Sequence, residues 1–325
     1  MGWVLNLLYR MNGIVLPPRV YLDLNHVINV CRLRRGKLSA QATPRQAYEA
    51  ISEAARTGLI TVLFNPGVFV ELADRQEGAR ERTEEVAAFF ESCISVLEVE
   101  PLHGYLFELV EEARRHVPDL SLPTVPVVRA VGDVWGDYRD LLRHHPEYPD
   151  DFGPRTSVTI RTWMESALRM AKNQPDLLQL RAKGWRYSVR MSRAVFERFD
   201  KEEIPHEAMV HWANHANEFA RVLISAMPEL DVDAVGRQID FTRCRASNVF
   251  VRGFWHYSRN LAGADASDND ADDWFYVPAV AHADYALIER RMRSHLVSAN
   301  PGMSTHVFAK PQELVEALDA LTTSF

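Results

Sequence analysis

The feature that most constrains the fold is a set of short apolar runs, each followed by residues patterned for helix. Val20 to Leu24 comes just after Pro17-Pro18 and is apolar except for Asp23. Leu59 to Phe64 and Ile94 to Val99 repeat the pattern in the first hundred residues, and Tyr285 to Ile288 and His306 to Phe308 repeat it near the other end. Such runs, without strict polar alternation, read as strands buried on both faces, the mark of a parallel sheet. Asn25 to Leu33 is patterned for helix, and Thr43-Pro44 supplies an N-cap and first-turn proline for a helix reaching about Arg56, closed by Gly58. Asn65-Pro66-Gly67 opens a helix with Val68, Phe69 and Leu72 on its apolar side and Glu71 among them. Glu81 to Glu91, Asp272 to about Ala281, Glu289 to Leu296 and a terminal helix from Pro311 complete the alternation. It predicts an α/β fold: a parallel sheet flanked by helices in three layers, with right-handed crossovers.

From about Leu102 to Leu261 the pattern predicts helices and loops without a strand, broken at Val117 to Pro126 and His144 to Pro154. The chain therefore divides into residues 18–100, a large all-helical insertion or cap over 101–264, and residues 265–325 that return to the first part. With 47% apolar and 25% charged side chains, 325 residues can bury a proper core. Cys31, Cys93 and Cys244 are too few and too widely spaced for a disulfide framework or a zinc ribbon, which fits a reducing compartment. The apolar stretch Trp3 to Leu8 lacks a basic lead-in and a cleavage site, and no run is long enough to span a membrane. The expectation is a soluble, cytoplasmic protein with no membrane partner.

Net charge is −7, which excludes a protein that coats nucleic acid by bulk electrostatics. The charge is unevenly spread: Arg155 to Lys201 holds eleven basic and four acidic residues, hence +7, leaving −14 for the rest. Within that segment Arg181, Lys183, Trp185, Arg186, Arg190 and Arg193 mix cations with an aromatic, as suits phosphate contact and base stacking. A solvated helix face is the equal alternative. His211 and His215 have an i, i+4 spacing that can bind zinc, but no Glu accompanies them in a His-Glu-x-x-His arrangement. Asp268 to Asp272 lacks the Gly and Glu of a calcium loop and reads as a solvated connection.

A carboxylate at the edge of a buried strand is costly unless it is paired or bound to a cation, so Asp23 calls for a reason. It could cap the helix that follows. Glu71 alone would pass for a solvated helix residue. Company changes the reading: in Asp272-Asp273-Trp274-Phe275-Tyr276-Val277-Pro278-Ala279-Val280-Ala281-His282-Ala283-Asp284, two acids, Asp273 and Asp284, bracket a helix, and Glu289 lies just past the next strand. In open parallel sheets reactive groups gather beyond the carboxyl ends of the strands.

In order and spacing, Tyr21-Leu22-Asp23-Leu24-Asn25, the strand followed by Glu71, and Asp273 through Asp284 to Glu289-Arg290-Arg291 resemble the PIN-like nucleases. The resemblance covers about residues 18–100 and 265–322 and leaves the middle untouched. It implies that Asp23, Glu71, Asp273 and Asp284, with Glu289 as a further ligand, hold Mg²⁺ or Mn²⁺, the cations that hard carboxylate oxygens suit. Asn25 would orient Asp23 or the attacking water. Asp270 and Asp272 are rivals for the place given to Asp273, and Leu287-Ile288-Glu289 stands where many relatives carry a Thr-x-Asp turn. Tyr276 and His282 exchange the residue types expected in one PIN-like subgroup. The function implied is metal-dependent endonuclease activity, on RNA before DNA, with the insertion gripping substrate or serving as a platform for a protein partner. A structure-selective DNA nuclease and a non-catalytic binding module are the alternatives.

Overall fold

The computed structural model of the protein describes residues 16–38, 42–73, 78–100, 104–131, 159–173, 204–216, 219–260 and 276–322, with 186, 189–190, 193–194, 197–199 and 273–274 between them. It is an α/β fold with many helices around one six-stranded mixed sheet. Strands β1 (Arg19–Leu22), β2 (Thr61–Phe64), β3 (Val96–Val99), β4 (Val128–Ala130), β5 (Tyr285–Leu287) and β6 (Val307–Phe308) lie in the order β4-β3-β2-β1-β5-β6. All neighbours pair in parallel except β3 and β4, which are antiparallel.

Strand β4 corrects two expectations, that the sheet is wholly parallel and that the middle of the chain has no strand. Its three residues at the sheet edge alternate from half-buried to buried to exposed, and Pro126 and Arg129 interrupt the valines around it. Backbone pairing makes it instead, beginning with the Glu100 N–H donated to the Val127 carbonyl at 2.9 Å. The inner strands behave as their composition demands. All four residues of β2 are buried, as are Val20, Tyr21 and Leu22 of β1, because helices cover both faces.

Those helices are α1 (Leu24–Arg34), α2 (Ala42–Thr57), α3 (Gly67–Ala73), α4 (Ala79–Glu91), α5 (Gly104–His116), α6 (Ile160–Asn173), α7 (His206–Ala216), α8 (Phe219–Ala226), α9 (Val232–Gln238), α10 (Arg245–Asn260), α11 (Val277–His282), α12 (Arg290–Ala299) and α13 (Pro311–Thr322). Residues of the middle segment, among them Phe107, Trp212 and Phe254, belong to the same continuous buried cluster as Val20, Val62 and Leu287 of the sheet. Helix α10 lies against α12, α11 and α5. Gly253 permits this closeness: a Cβ there would stand 2.7 Å from the Leu296 side chain and 3.2 Å from the Trp274 ring. Among the described residues no helix is long and apolar enough to cross a membrane.

The strand order also places the site. From β1 the chain crosses to β2 and β3 on one side, then returns to β5 and β6 on the other. Connections leaving the carboxyl ends of β1 and β5 therefore diverge, which opens a crevice between them, the usual ligand position in such sheets.

Candidate active site

Asp23 follows the last residue of β1 and precedes α1. Its backbone N–H donates to the Leu287 carbonyl at 2.9 Å, locking it between β1 and β5. The carboxylate accepts from the Leu24 N–H at 2.6 Å and also from the Glu289 backbone. It is thus the helix cap that the sequence allowed, but capping does not account for its surroundings. Asp23 is only 6% exposed, and burial, Glu71 and Glu289 together raise its pKa from 3.8 to about 7, outweighing the two backbone donors. A rise of this size corresponds to a bias of roughly 4 kcal/mol against the charged form. No arginine or lysine among the described residues is one of the groups that shift it.

Glu71 comes from the helix after β2. The turn into α3 is set by Asn65, whose side-chain oxygen accepts from the Gly67 N–H at 2.8 Å. A Cβ on Gly67 would stand 2.9 Å from that oxygen, so any larger residue would displace the turn that aims α3. One helical turn past Gly67, the Glu71 carboxylate accepts from the Tyr276 hydroxyl at 2.6 Å. Asp273 is held through its neighbour. Trp274 is buried among Phe250, Phe254 and Tyr257, each with ring centroids 5.4 Å away, and its carbonyl accepts from the Tyr105 hydroxyl at 3.2 Å. Aromatic pairs of this kind contribute about 0.5–1.5 kcal/mol each beyond area burial. The helical middle therefore serves the site by fixing Asp273, a role its sequence did not announce.

These acids meet around Tyr21. Its position two residues before Asp23 puts it on the same face of β1. The side chain is 1% exposed, and its hydroxyl has no hydrogen-bond partner among the described residues. Burial first, then the charges of Asp23, Glu71 and Asp273, push the phenol well above its ordinary pKa.

The fourth acid at this rim is Glu289 rather than Asp284. Val20 pairs with Tyr285 and Leu22 with Leu287, so Asp23 is level with Ile288 and Asp284 is level with Arg19. Four residues of strand, about 13 Å, separate the two aspartates. Asp284 accepts from the Arg19 N–H at 2.8 Å and pairs with its guanidinium at 3.6 Å, with its side chain 48% exposed. The correction has a simple cause: in parallel strands an acid at a strand start and an acid past a strand end lie on opposite rims. The Asn25 amide donates to Glu289.

Compared with known proteins, the chain matches no family model, no curated protein and no solved structure.

Nearby groups have structural roles. His26 is buried, hydrogen-bonded to the Tyr48 hydroxyl at 2.8 Å and to the Ile288 backbone, and burial lowers its pKa to about 4. Both of its hydrogen bonds tie α1 to the surrounding core, a structural role. His282 contacts Glu108 at 2.9 Å, and Glu108 also accepts from the Ala246 and Ser247 N–H groups at 3.0 Å, tying α11 to the start of α10. Of the basic candidates, Arg190 donates to the Arg186 carbonyl at 3.4 Å and Arg193 pairs with Glu197 at 3.1 Å. Arg181, Lys183, Trp185, Asp270, Asp272 and the His215 side chain lie outside the described residues. Among the described residues no group of three or more His, Cys, Asp or Glu side chains is placed to hold a metal ion.

Proposed function

We propose that the protein is a divalent-metal-dependent endonuclease with a PIN-like fold, acting on RNA. The observation that carries this reading is electrostatic: Glu71 and Glu289 act on Asp23, and Asp23, Glu71 and Asp273 act on Tyr21, at the diverging carboxyl ends of β1 and β5, with no basic side chain among the described residues that shift Asp23. Clustered carboxylates in a buried place repel one another unless a cation joins them. The donor set is hard oxygen throughout, the kind Mg²⁺ or Mn²⁺ takes, and the buried Tyr21 hydroxyl beside it has no partner among the described residues; no three of the described side chains are grouped to hold an ion without moving.

Asp23, Glu71, Asp273 and Glu289 would hold the cations. Bound there, they would lower the pKa of water and offset charge on the scissile phosphate. The chain's own contribution is positioning. Tyr276 holds Glu71, Asn25 holds Glu289, the Trp274 cage holds Asp273, and two backbone N–H groups hold Asp23. In the reaction a water oxygen bonds to phosphorus, the P–O3′ bond breaks, and the departing O3′ takes up a proton, leaving a 5′-phosphate and a 3′-hydroxyl. Helix α6, the first of the basic segment, packs on α3, which carries Glu71, and exposes Arg169 and Lys172. Packing of this helix on the one that carries Glu71 supports use of the basic segment as the substrate grip.

The test is incubation with labelled single-stranded RNA, single-stranded DNA and flap DNA, with Mn²⁺ or EDTA, alongside Asp23→Asn. Metal-dependent cutting of RNA that the variant lacks supports the reading. Cutting of flap DNA alone replaces RNA by DNA on the same site, and binding without cutting removes the enzymatic claim.

A further inference from the structure

Every other polar atom named around the acid cluster has a partner. Tyr276 donates to Glu71, Asn25 to Glu289, and the Leu24 and Glu289 N–H groups to Asp23. The Tyr21 hydroxyl has none among the described residues, although it is buried, under the influence of three carboxylates, and its ring is packed 6.3 Å from that of Tyr276. A phenylalanine would fill the same volume without leaving a buried donor unmade, an omission that is ordinarily costly. The hydroxyl therefore calls for a state in which it is used.

We propose that Tyr21 is a positioning residue of the cluster, whose hydroxyl donates to the surrounding carboxylates once a divalent cation draws them together, and so helps set cation affinity. This rests on the metal-dependent reading above. In the cation-free protein the carboxylates repel one another and the donor is idle. With a cation bound they converge, and a donor fixed by the strand backbone and the sheet core holds one of their oxygens at almost no further entropic cost. Tyr276 has the opposite character, because its hydroxyl is already engaged with Glu71 before any cation arrives.

The experiment is Tyr21→Phe in the full chain, with Mn²⁺ alone as the probe. Its dissociation constant is followed by the electron paramagnetic resonance signal of free Mn²⁺, and thermal melting is recorded in EDTA. Supporting ligands of metal sites change affinity or activity by roughly 10–100-fold. The expected result is a dissociation constant weakened by about tenfold, a melting temperature in EDTA that is unchanged or raised, and, on single-stranded RNA, a lower kcat with KM unchanged. Tyr276→Phe provides the contrast: it should melt lower in EDTA, since it loses a bond present without metal. If Tyr21→Phe binds Mn²⁺ as tightly as the parent protein, the inference fails while the metal-dependent reading stands. If Tyr21→Phe melts lower in EDTA, the hydroxyl has a partner in the cation-free protein and the inference also fails. Should the parent protein bind no Mn²⁺ at all, the functional reading falls and takes the inference with it.

Discussion

Two regions of the sheet bury carboxylates, and they do it in opposite ways. At the β3–β4 edge Glu98 is 1% exposed, yet Arg129 lies 2.5 Å from one of its oxygens and the Trp163 indole N–H donates to the other at 3.1 Å. Glu100 lies 3.9 Å from the same guanidinium. Burial still raises the Glu98 pKa, and Arg129 is the largest influence pulling it back. At the β1–β5 rim Asp23 is buried to a similar degree, but the charges acting on it are Glu71 and Glu289. The first region carries its cation in the sequence, and a carboxylate so paired is architecture. The second holds acids against acids, a state a folded chain tolerates only where something from outside joins them.

The largest effect expected from this contrast is on catalysis. Asp23→Asn keeps a side-chain oxygen for the Leu24 N–H but removes the charge, and should lower Mn²⁺-dependent cleavage at least about a thousandfold, on the order of 4 kcal/mol of transition-state stabilisation. In EDTA the same variant should unfold at higher urea than the parent. A loss of both activity and stability would mean that Asp23 is only a cap. Next in size is Arg129→Met, which strands Glu98 and Glu100 without their cation. Removing one partner of a buried pair costs about 3–5 kcal/mol, to be read from urea unfolding, and Mn²⁺ should not restore it. Restoration by Mn²⁺ would erase the distinction between the two regions.

A pH series sharpens the comparison further. The Asp23 pKa is about 7 in the folded protein against an ordinary 3.8, so between those values the folded state binds more protons than the unfolded one. Stability contributed by this group is then greatest at low pH and is lost as pH rises towards and through 7. In EDTA the parent protein, measured against Asp23→Asn to cancel other groups, should lose about 2–3 kcal/mol between pH 5 and pH 8. Saturating Mn²⁺ should offset that loss at pH 8 and do little at pH 5. Parallel profiles for parent and variant would show that the acids do not act on Asp23.

Much of this was legible in the residues. Short, mostly apolar runs such as Val20 to Leu24 and Leu59 to Phe64, without polar alternation, read as strands buried on both faces. Asp23 was visible because a charge at the end of such a run is physically conspicuous. Glu71 and Asp273 were visible only as members of an ordered set. Other features depend on geometry that spacing does not carry. Strand β4 owes its existence to backbone pairing with β3. Tyr21 has the residue type of an ordinary core aromatic, and the clue was its place two residues before Asp23 on an alternating strand. Trp274 reads as a core residue until the Phe250, Phe254 and Tyr257 cage shows that it anchors Asp273.

The smallest expected effect tests the rule hardest, because it uses the same substitution on a neighbouring strand. Asp284 is an aspartate at the edge of β5 as Asp23 is at the edge of β1, but it sits at the strand's start, exposed and paired with Arg19. By the contrast above it belongs with Glu98: its cation is already in the chain. An exposed ion pair of this kind contributes about 0–1 kcal/mol, and asparagine can still accept from the Arg19 N–H. Asp284→Asn should therefore leave cleavage within about twofold and change unfolding by less than about 1 kcal/mol, measured beside Asp23→Asn under the same conditions. If Asp284→Asn abolished cleavage while the protein stayed folded, the working acids would not be confined to one rim. The register between β1 and β5 would then have lost its power to say which carboxylates act together.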